Sequence, residues 1–185
     1  MSAAATDQAA LLERIAALEQ RVRELERNAP DDQASILVFS GEMDNLLAAF
    51  IVATGASAMG MKVSMYFTFW GLQAIKKKTV YAQKPITEQM VSAMLATGPA
   101  SVGTSRLNMM GMGPIFFRHI MKMNHVETLP GLIAVAKDLE VRMIGCEMSM
   151  GVMGIRREEL MDELEYGGVA TYLEDAMNSK LTLFI

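Results

Sequence analysis

Cysteine is almost absent from this 185-residue chain, in which Cys146 is the single copy. One cysteine excludes an intramolecular disulfide and any zinc site built from several cysteines. The chain also lacks the excess of basic residues that is typical of nucleic-acid-binding proteins, since its formal net charge is -4. We therefore expect no nucleic acid among its partners.

Signals for export and for membrane insertion are also lacking. The N-terminus has no basic stretch followed by an apolar one, which argues against a secretory signal peptide. The longest uncharged run, residues 45–61, is at the lower limit for a membrane span and contains Gly55 and Gly60. A buried helix followed by a buried strand explains this run better, so we expect a cytoplasmic protein without a membrane partner.

Methionine, by contrast, is abundant, with 18 copies in a chain that is 51% hydrophobic. Such a composition excludes a disordered chain and predicts one globular domain. Methionine fills irregular cores and lines adaptable pockets, and its thioether also suits Cu(I). Spacing alone establishes no copper ligand set, so we favour the packing role and predict no metal and no cofactor.

The first 33 residues carry a heptad pattern. Arg14 and Arg21 occupy g positions, and in a parallel pair they would face Glu19 and Glu26 at the e positions of the partner. β-branched residues at a with leucine at d also favour a parallel dimer. We predict a short coiled coil, with a helix folded onto its own domain as the alternative. The apolar seam consists of Leu11, Ile15, Leu18, Val22 and Leu25.

Past a linker at residues 28–32, short apolar runs alternate with helical stretches. This alternation predicts an α/β domain over residues 34–185, a three-layer sandwich with a mostly parallel sheet of about five strands. Strands are expected at residues 35–40, 62–68, 141–146 and 181–185, with a candidate fifth strand near 80–83. Helices are expected at residues 43–59, 70–78, 87–97, 115–122, 132–139, 156–163 and 169–177, and a loop at 107–114.

Ligands of open parallel sheets bind beyond the carboxyl ends of the strands. That rule selects residues 40–42, 69–71 and 145–147, among which Cys146 is the intrinsically strong nucleophile. A helix that opens after Cys146 would lower the pKa of the thiol, although Glu147 would oppose this if it pointed the same way. From spacing alone, Cys146 is either this reactive thiol or an inert, buried one.

Candidate pocket residues come from the same segments and from the glycine- and methionine-rich stretch before Pro114. That stretch lacks the Walker lysine, but free N–H groups of a helix that begins at Pro114 could hold an anion. The candidates are Gly41, Glu42, Phe69, Trp70, Gly71, Met112, Gly113, Met148, Ser149 and Met150.

Four stretches together resemble one protein family: SGEMDNLLAAFIVATGASAMGMKVSMYFTFWGLQAIKK, LNMMGMGP, CEMSMGVMGI and GGVATYLEDAMNSKLTLFI. The chain is similar, over residues 35–185, to the DsrE/DsrF/DsrH-like family, and more narrowly to its DsrE-like branch, often labelled peroxiredoxin-like or sulfurtransferase. The resemblance implies a parallel α/β sandwich, an oligomer, and a cysteine that carries sulfane sulfur as a persulfide. Cys146 matches that cysteine, whereas Gly151 stands where many relatives have Asp.

The resemblance thus implies a cytoplasmic sulfur carrier or sulfurtransferase with TusA-like or rhodanese-like partners. A persulfide on Cys146 would be shielded by Met148, Met150, Phe69 and Trp70. Because the chain has no second cysteine, sulfur would have to leave to another molecule or to Cys146 of another subunit, which disfavours a disulfide-forming peroxidase cycle within one chain.

Two other functions remain open from the sequence. One is an oligomeric binding module whose methionine-lined pocket holds an apolar ligand or Cu(I), with Cys146 as a ligand or inert. The other is a membrane-associated assembly protein.

Overall fold

The computed structural model describes residues 3–106 and 111–185. These residues form two compact units, which divide between Asp31 and Asp32. The first unit contains one helix, α1 (Ala3–Arg27). The five apolar residues of its heptad seam are all exposed to solvent, from 43% for Ile15 to 72% for Leu25. A helix with an exposed seam is compatible with the predicted coiled coil, which stays a prediction.

The second unit is the predicted α/β domain. Its strands are β1 (Asp31–Val38), β2 (Lys62–Phe67), β3 (Arg142–Cys146), β4 (Glu165–Gly167) and β5 (Ser179–Phe184). Its α-helices are α2 (Met43–Ala58), α3 (Ile86–Met94), α4 (Met112–Met123), α5 (Leu129–Asp138), α6 (Glu147–Met153) and α7 (Val169–Met177). Two 3-10 segments, Phe69–Ile75 and Arg157–Glu159, complete the described elements.

The five strands form one sheet in the order β4-β3-β2-β1-β5. The pairs β1–β2, β2–β3 and β3–β4 are parallel. β5 also runs parallel to β1, because Lys180 pairs with Asp32 at one end and Ile185 N–H donates to the carbonyl of Leu37 at the other. The predicted parallel sheet is confirmed, and all five carboxyl ends lie at the same edge.

The two faces of the sheet are covered unequally. Because side chains alternate along a strand, Ile36, Met65 and Met143 lie on one face, in the main core with residues of α2 and α5. Tyr66, Ile144 and Cys146 lie on the other face, in a small cluster that includes Tyr172 of α7. We call this second surface the Cys146 face. Helices thus cover both faces, as predicted, but the layer over Cys146 is thin.

Several sequence-based boundaries were wrong. β1 begins at Asp31 and not at residue 35, which shortens the predicted linker, because Asp32 pairs with Lys180 of the neighbouring strand. The described fifth strand is β4, whereas residues 80–83 form no strand and end in a turn. The predicted helix 156–163 is reduced to the single 3-10 turn Arg157–Glu159.

A buried ionic group accounts for two of these errors. The side chains of Lys76, Lys84 and Glu159 are fully buried, and Glu159 pairs with both lysines. The backbone N–H of Lys77 also donates to the carbonyl of Glu159 at 2.8 Å. These contacts bind the segment after Ile75 to the segment around Glu159, and neither segment is free to form the regular element that its sequence pattern suggests. The lysine-rich end of the predicted helix 70–78 is therefore partly buried.

Within residues 3–106 and 111–185, no helix combines the length and the apolar character that crossing a membrane requires.

Candidate functional site

Cys146 is the last residue of β3 and therefore lies at the carboxyl edge of the sheet, where the sequence placed it. It is also the residue immediately before α6, so the predicted helix after the cysteine is confirmed. Its thiol is free, and the residue is only 3% exposed. The site is therefore a buried thiol at the ligand-binding edge of a parallel sheet.

Two hydroxyl groups form a chain that ends on the thiol. Ser149 Oγ, fully buried in α6, donates a hydrogen bond to Cys146 Sγ at 3.3 Å. Thr68 Oγ1, just after β2, lies 2.7 Å from Ser149 Oγ. A hydroxyl group has one proton and two acceptor lone pairs. Because Ser149 gives its proton to sulfur, Thr68 is the donor to Ser149, and the chain runs from Thr68 through Ser149 to Cys146.

Tyr66 approaches the same sulfur from β2. Its phenol lies in the same buried cluster as Cys146 and donates a hydrogen bond to the carbonyl oxygen of Gly167, 3.3 Å away at the end of β4. The Tyr66 ring packs against Tyr172 of α7, with 5.6 Å between ring centroids. Three strands and two helices therefore position the groups around Cys146.

These groups shift the pKa of the sulfur. Burial raises the pKa of the Cys146 thiol, but the hydrogen bond from Ser149 and the neighbouring hydroxyls of Tyr66 and Thr68 outweigh burial and hold the pKa below its ordinary value. Burial and the neighbouring Cys146 raise the pKa of Tyr66, which therefore stays protonated and remains a donor. The site favours a thiolate, the nucleophilic form of cysteine.

The negative charge of Glu147, next to Cys146 in the chain, is balanced by a neighbouring arginine. Its exposed carboxylate pairs with the guanidinium of Arg157, which also lies 4.4 Å above the ring centroid of Tyr166. This ion pair compensates the acidic residue that follows Cys146 in the chain. The Glu147 carboxylate therefore opposes a Cys146 thiolate less than an unpaired carboxylate would.

Gly41 and Gly71 are positions of close backbone approach. Gly71 N–H donates to the carbonyl of Phe39 at 2.9 Å, and a Cβ on Gly71 would overlap the carbonyl oxygen of Val38. A Cβ on Gly41 would lie 2.7 Å from the carbonyl oxygen of Trp70. Both glycines let the Phe69–Ile75 segment pack directly on the end of β1. Glu42, directly before α2, accepts a hydrogen bond from Ser40 Oγ.

The apolar wall predicted around the thiol is not assembled as expected. Met148 is 59% exposed on the outer side of α6, while Met150 is buried in the main core. The reason is the helical period, which turns residues 148 and 150 of α6 to different sides. Trp70 is 46% exposed, and Phe69 packs against Phe39 with 5.6 Å between ring centroids.

Met112 and Gly113 line a different cavity. α4 begins at Met112, earlier than predicted, and these two residues border a space of about 600 Å³ together with Phe116, Phe117 and other side chains. Cys146 is not among the lining residues of this cavity. The rest of the motif, residues 107–110, lies outside the described residues. The structure therefore does not bring this predicted part of the pocket to the thiol.

Tyr66 and Thr68 are site residues that the sequence reasoning missed. A usable signal existed, because alternate residues of a strand share a face. Tyr66 pairs with Ile144 in the parallel register, which places Tyr66 and Thr68 on the face of Cys146. Finding them needed the pairing of β2 with β3, which the sequence pattern did not provide. Within the described part of the chain, no three His, Cys, Asp or Glu side chains are grouped to hold a metal ion.

Three known proteins are similar to this chain. The chain is 38% identical over 154 residues to the uncharacterized protein YrkE of Bacillus subtilis (strain 168), covering 83% of this chain and 96% of YrkE. It is 31% identical over 154 residues to the sulfur carrier protein DsrE2 of Allochromatium vinosum, covering 82% of this chain and 96% of DsrE2. The crystal structure of the YchN protein from E. coli aligns with a TM-score of 0.49 and 12% identity, over 83% of this chain and 99% of that one.

The family comparison covers most of the sequence. Residues 30–184 match the DsrE/DsrF/DrsH-like family, a range that begins just before β1 and ends with β5. The matched range contains every group that surrounds the Cys146 thiol. This chain belongs to the DsrE/DsrF/DrsH-like family.

Proposed function

We propose that this protein is a sulfur carrier that holds sulfane sulfur as a persulfide on Cys146 and passes it to a thiol of another molecule. The observation that carries the proposal is a buried thiol whose sulfur accepts a hydrogen bond from Ser149, with the hydroxyls of Thr68 and Tyr66 beside these two groups. This arrangement stabilises a sulfur anion without a metal. The similarity to a protein named as a sulfur carrier supports the same function.

The transfer consists of two displacements on sulfur. In loading, the Cys146 thiolate attacks the outer sulfur of a persulfide or of thiosulfate. The donor S–S bond breaks, and its electron pair leaves with the donor thiolate or with sulfite. In discharge, an acceptor thiolate attacks the outer sulfur on Cys146, and the electron pair of the breaking S–S bond returns to Sγ. No net oxidation occurs in either step.

The acceptor thiol has to come from outside the chain, because Cys146 is its single cysteine. We propose a protein acceptor of the TusA-like or rhodanese-like kind and a cytoplasmic location, which the family resemblance implies. Cys146 of another subunit is a second acceptor of the same chemistry.

We also propose that α1 pairs with α1 of a second copy as a parallel coiled coil. Its exposed seam supplies the apolar contact, and Arg14 and Arg21 face Glu19 and Glu26 of the other copy. The sulfur carrier would then be at least a dimer.

The alternative function, a binding module, draws support from the cavity bordered by α4. Its described lining includes the apolar side chains of Met112, Phe116, Phe117 and Ile120. A lining of this kind suits an apolar ligand.

The proposal is tested by intact mass spectrometry before and after exposure to a low-molecular-weight persulfide and to thiosulfate. We expect the wild type to gain sulfur that a reductant removes, and Cys146→Ala to gain none. Thermal unfolding of Cys146→Ala checks that the variant remains folded. Equal loading of both proteins, or no loading of the wild type by either donor, would overturn the sulfur-carrier function.

A further inference from the structure

The groups around the Cys146 sulfur are hydroxyls that donate hydrogen bonds, whereas a thiol activated by a base lies next to a proton acceptor. We infer that the Ser149 and Tyr66 hydroxyls promote the discharge of sulfur by stabilising Cys146 Sγ as the leaving group, with Thr68 as a positioning residue. The inference deepens the proposed sulfur-carrier function and rests on it, because it assigns residues to one of its two steps.

Ser149 is committed to the sulfur by its own surroundings. It is fully buried, and the contact of its Oγ with Thr68 Oγ1 at 2.7 Å satisfies the oxygen as an acceptor. Its proton therefore remains directed at Sγ, 3.3 Å away. Thr68 acts through Ser149 by fixing the orientation of that hydroxyl. A donor fixed before the reaction needs no reorganisation when charge develops on sulfur.

Tyr66 has two acceptors for one proton. Its Oη donates a hydrogen bond to the carbonyl oxygen of Gly167 at 3.3 Å, and the Cys146 sulfur lies in the same buried cluster as a second acceptor. While Sγ is bonded to a second sulfur and carries no charge, the carbonyl is the stronger acceptor. As the S–S bond breaks, negative charge returns to Sγ, and the phenol proton favours the sulfur. Tyr66 is therefore a donor that strengthens as discharge proceeds.

These hydrogen bonds affect the two steps in opposite directions. A thiolate that is stabilised by donors leaves faster from an S–S bond, whereas its reactivity as a nucleophile falls with a Brønsted slope of about 0.4–0.5. At a pH where Cys146 is already ionised, losing a donor should slow discharge but leave loading unchanged or faster. A change in access to the buried sulfur would slow both steps, so the split between the steps identifies the electronic effect.

The test compares Ser149→Ala and Tyr66→Phe with two matched controls. Ser64→Ala removes a buried hydroxyl of β2 that bonds to Ser35, 3.0 Å away. Tyr172→Phe removes a phenol whose ring packs against Tyr66. Each protein is converted to the Cys146 methyl disulfide with methyl methanethiosulfonate, and 2-mercaptoethanol then cleaves the disulfide while intact mass is followed over time. This reaction has the same leaving group as discharge and does not require that the protein carry sulfane sulfur.

We expect Ser149→Ala and Tyr66→Phe to slow cleavage by about three- to tenfold, the range for losing one hydrogen bond to a charged group that is partly formed in the transition state. Formation of the methyl disulfide at high pH should not slow. The thiolate absorbance of the single cysteine should titrate at higher pH in both variants, and both controls should resemble the wild type.

Wild-type cleavage rates in both variants would overturn the inference, as would equal slowing of formation and cleavage. If Ser149→Ala does not fold, Ser149→Thr, which keeps the hydroxyl, should cleave at the wild-type rate, and Thr68→Val should cleave more slowly. In parallel, cyanide attack on the persulfide form measures true discharge. Failure of the wild type to load sulfur would reject the carrier function, while the methyl disulfide rates would still decide the roles of Ser149 and Tyr66.

Discussion

Two kinds of buried polar group occur in this domain. Neutral hydroxyls surround Cys146, whereas Lys76, Lys84 and Glu159 form an ionic group with fully buried side chains. Lys76 Nζ lies 3.9 Å from Glu159 Oε2 and 3.1 Å from Thr79 Oγ1. Two cations share one carboxylate, so this group carries an excess positive charge when both lysines are protonated. Burial lowers the pKa of Lys76.

This imbalance predicts unequal effects of removing each charge. Glu159→Gln leaves two buried ammonium groups without their carboxylate and should lower the free energy of unfolding by about 3–5 kcal/mol. Lys76→Met keeps a similar volume and leaves the pair of Lys84 and Glu159, so it should be neutral or stabilising. Urea unfolding of both variants checks this, and a Lys76→Met variant as unstable as Glu159→Gln would contradict it.

The lowered pKa of Lys76 also predicts a pH dependence. The unfolded chain binds this proton up to the ordinary pKa of 10.5, whereas the folded protein releases it at lower pH. At a pH between the folded and the unfolded pKa of Lys76, unfolding therefore takes up a proton. The contribution of Lys76 to stability is complete above the unfolded pKa, and it is lost as the pH falls through the folded pKa. In urea unfolding, the wild type should gain stability relative to Lys76→Met as the pH rises toward the unfolded pKa of 10.5. A constant difference would contradict the linkage.

At the scale of elements, the Phe69–Ile75 segment shows that a backbone contact can override the helical pattern of the sequence. The sequence predicted a helix over residues 70–78, yet the segment is a 3-10 helix that ends before Lys76. It begins at Phe69, whose φ of 44° is in the left-handed region that residues other than glycine rarely adopt. Gly71 allows this segment to contact the carbonyl of Val38. Close packing at the end of β1 therefore overrides the helical period.

Glycines of two neighbouring elements should respond differently to the same change. Gly71→Ala should lower the free energy of unfolding by about 1–3 kcal/mol, because its Cβ would overlap the Val38 carbonyl. Gly151→Ala in α6 meets no atom within 4 Å and should be neutral or stabilising by about 0.5–1 kcal/mol. Chemical denaturation of the two variants tests this. Equal stability of both variants would show that the segment around Gly71 moves to accommodate a methyl group.

The elements that were correctly predicted share one property. The strands β2 and β3, the helix α2 and the helix α7 are each specified by a local run of apolar or periodic residues, and α7 has the predicted bounds. The segments that were wrong, near residues 80–83 and 156–163, are bound to each other through Lys84 and Glu159. Contacts between residues that are distant in the chain leave no local pattern, so sequence periodicity could not detect them.

At the scale of the whole molecule, apolar side chains are abundant on the described surface. Methionine is divided between the core and the surface, since seven of the described copies are exposed: Met59, Met90, Met94, Met112, Met123, Met148 and Met177. Other copies, including Met43, Met65 and Met143, fill the core as expected.

The coiled coil of α1 gives a prediction about assembly. Arg14→Glu with Arg21→Glu should weaken self-association, because glutamates would then face Glu19 and Glu26 of the other copy. Mixing this variant with a Glu19→Arg, Glu26→Arg variant should restore pairing. Sedimentation of each protein and of the mixture measures the result. Deleting residues 1–30 should also reduce the number of subunits in the assembly. An unchanged number of subunits would reject a contact through α1.

The sequence by itself determined the class of the fold, the parallel sheet and the position of Cys146 at its carboxyl edge. These features follow from local hydrophobic patterns and from the rule that parallel strands end at one edge. The tertiary structure decided which groups contact the sulfur: Tyr66 and Thr68 reach it because β2 pairs with β3, and Ser149 because α6 begins at the thiol. It also placed Met112 in the lining of another cavity and left Met148 exposed on α6. Strand pairing and helix packing join residues that are far apart in the chain, and that proximity lowers the pKa of the Cys146 thiol.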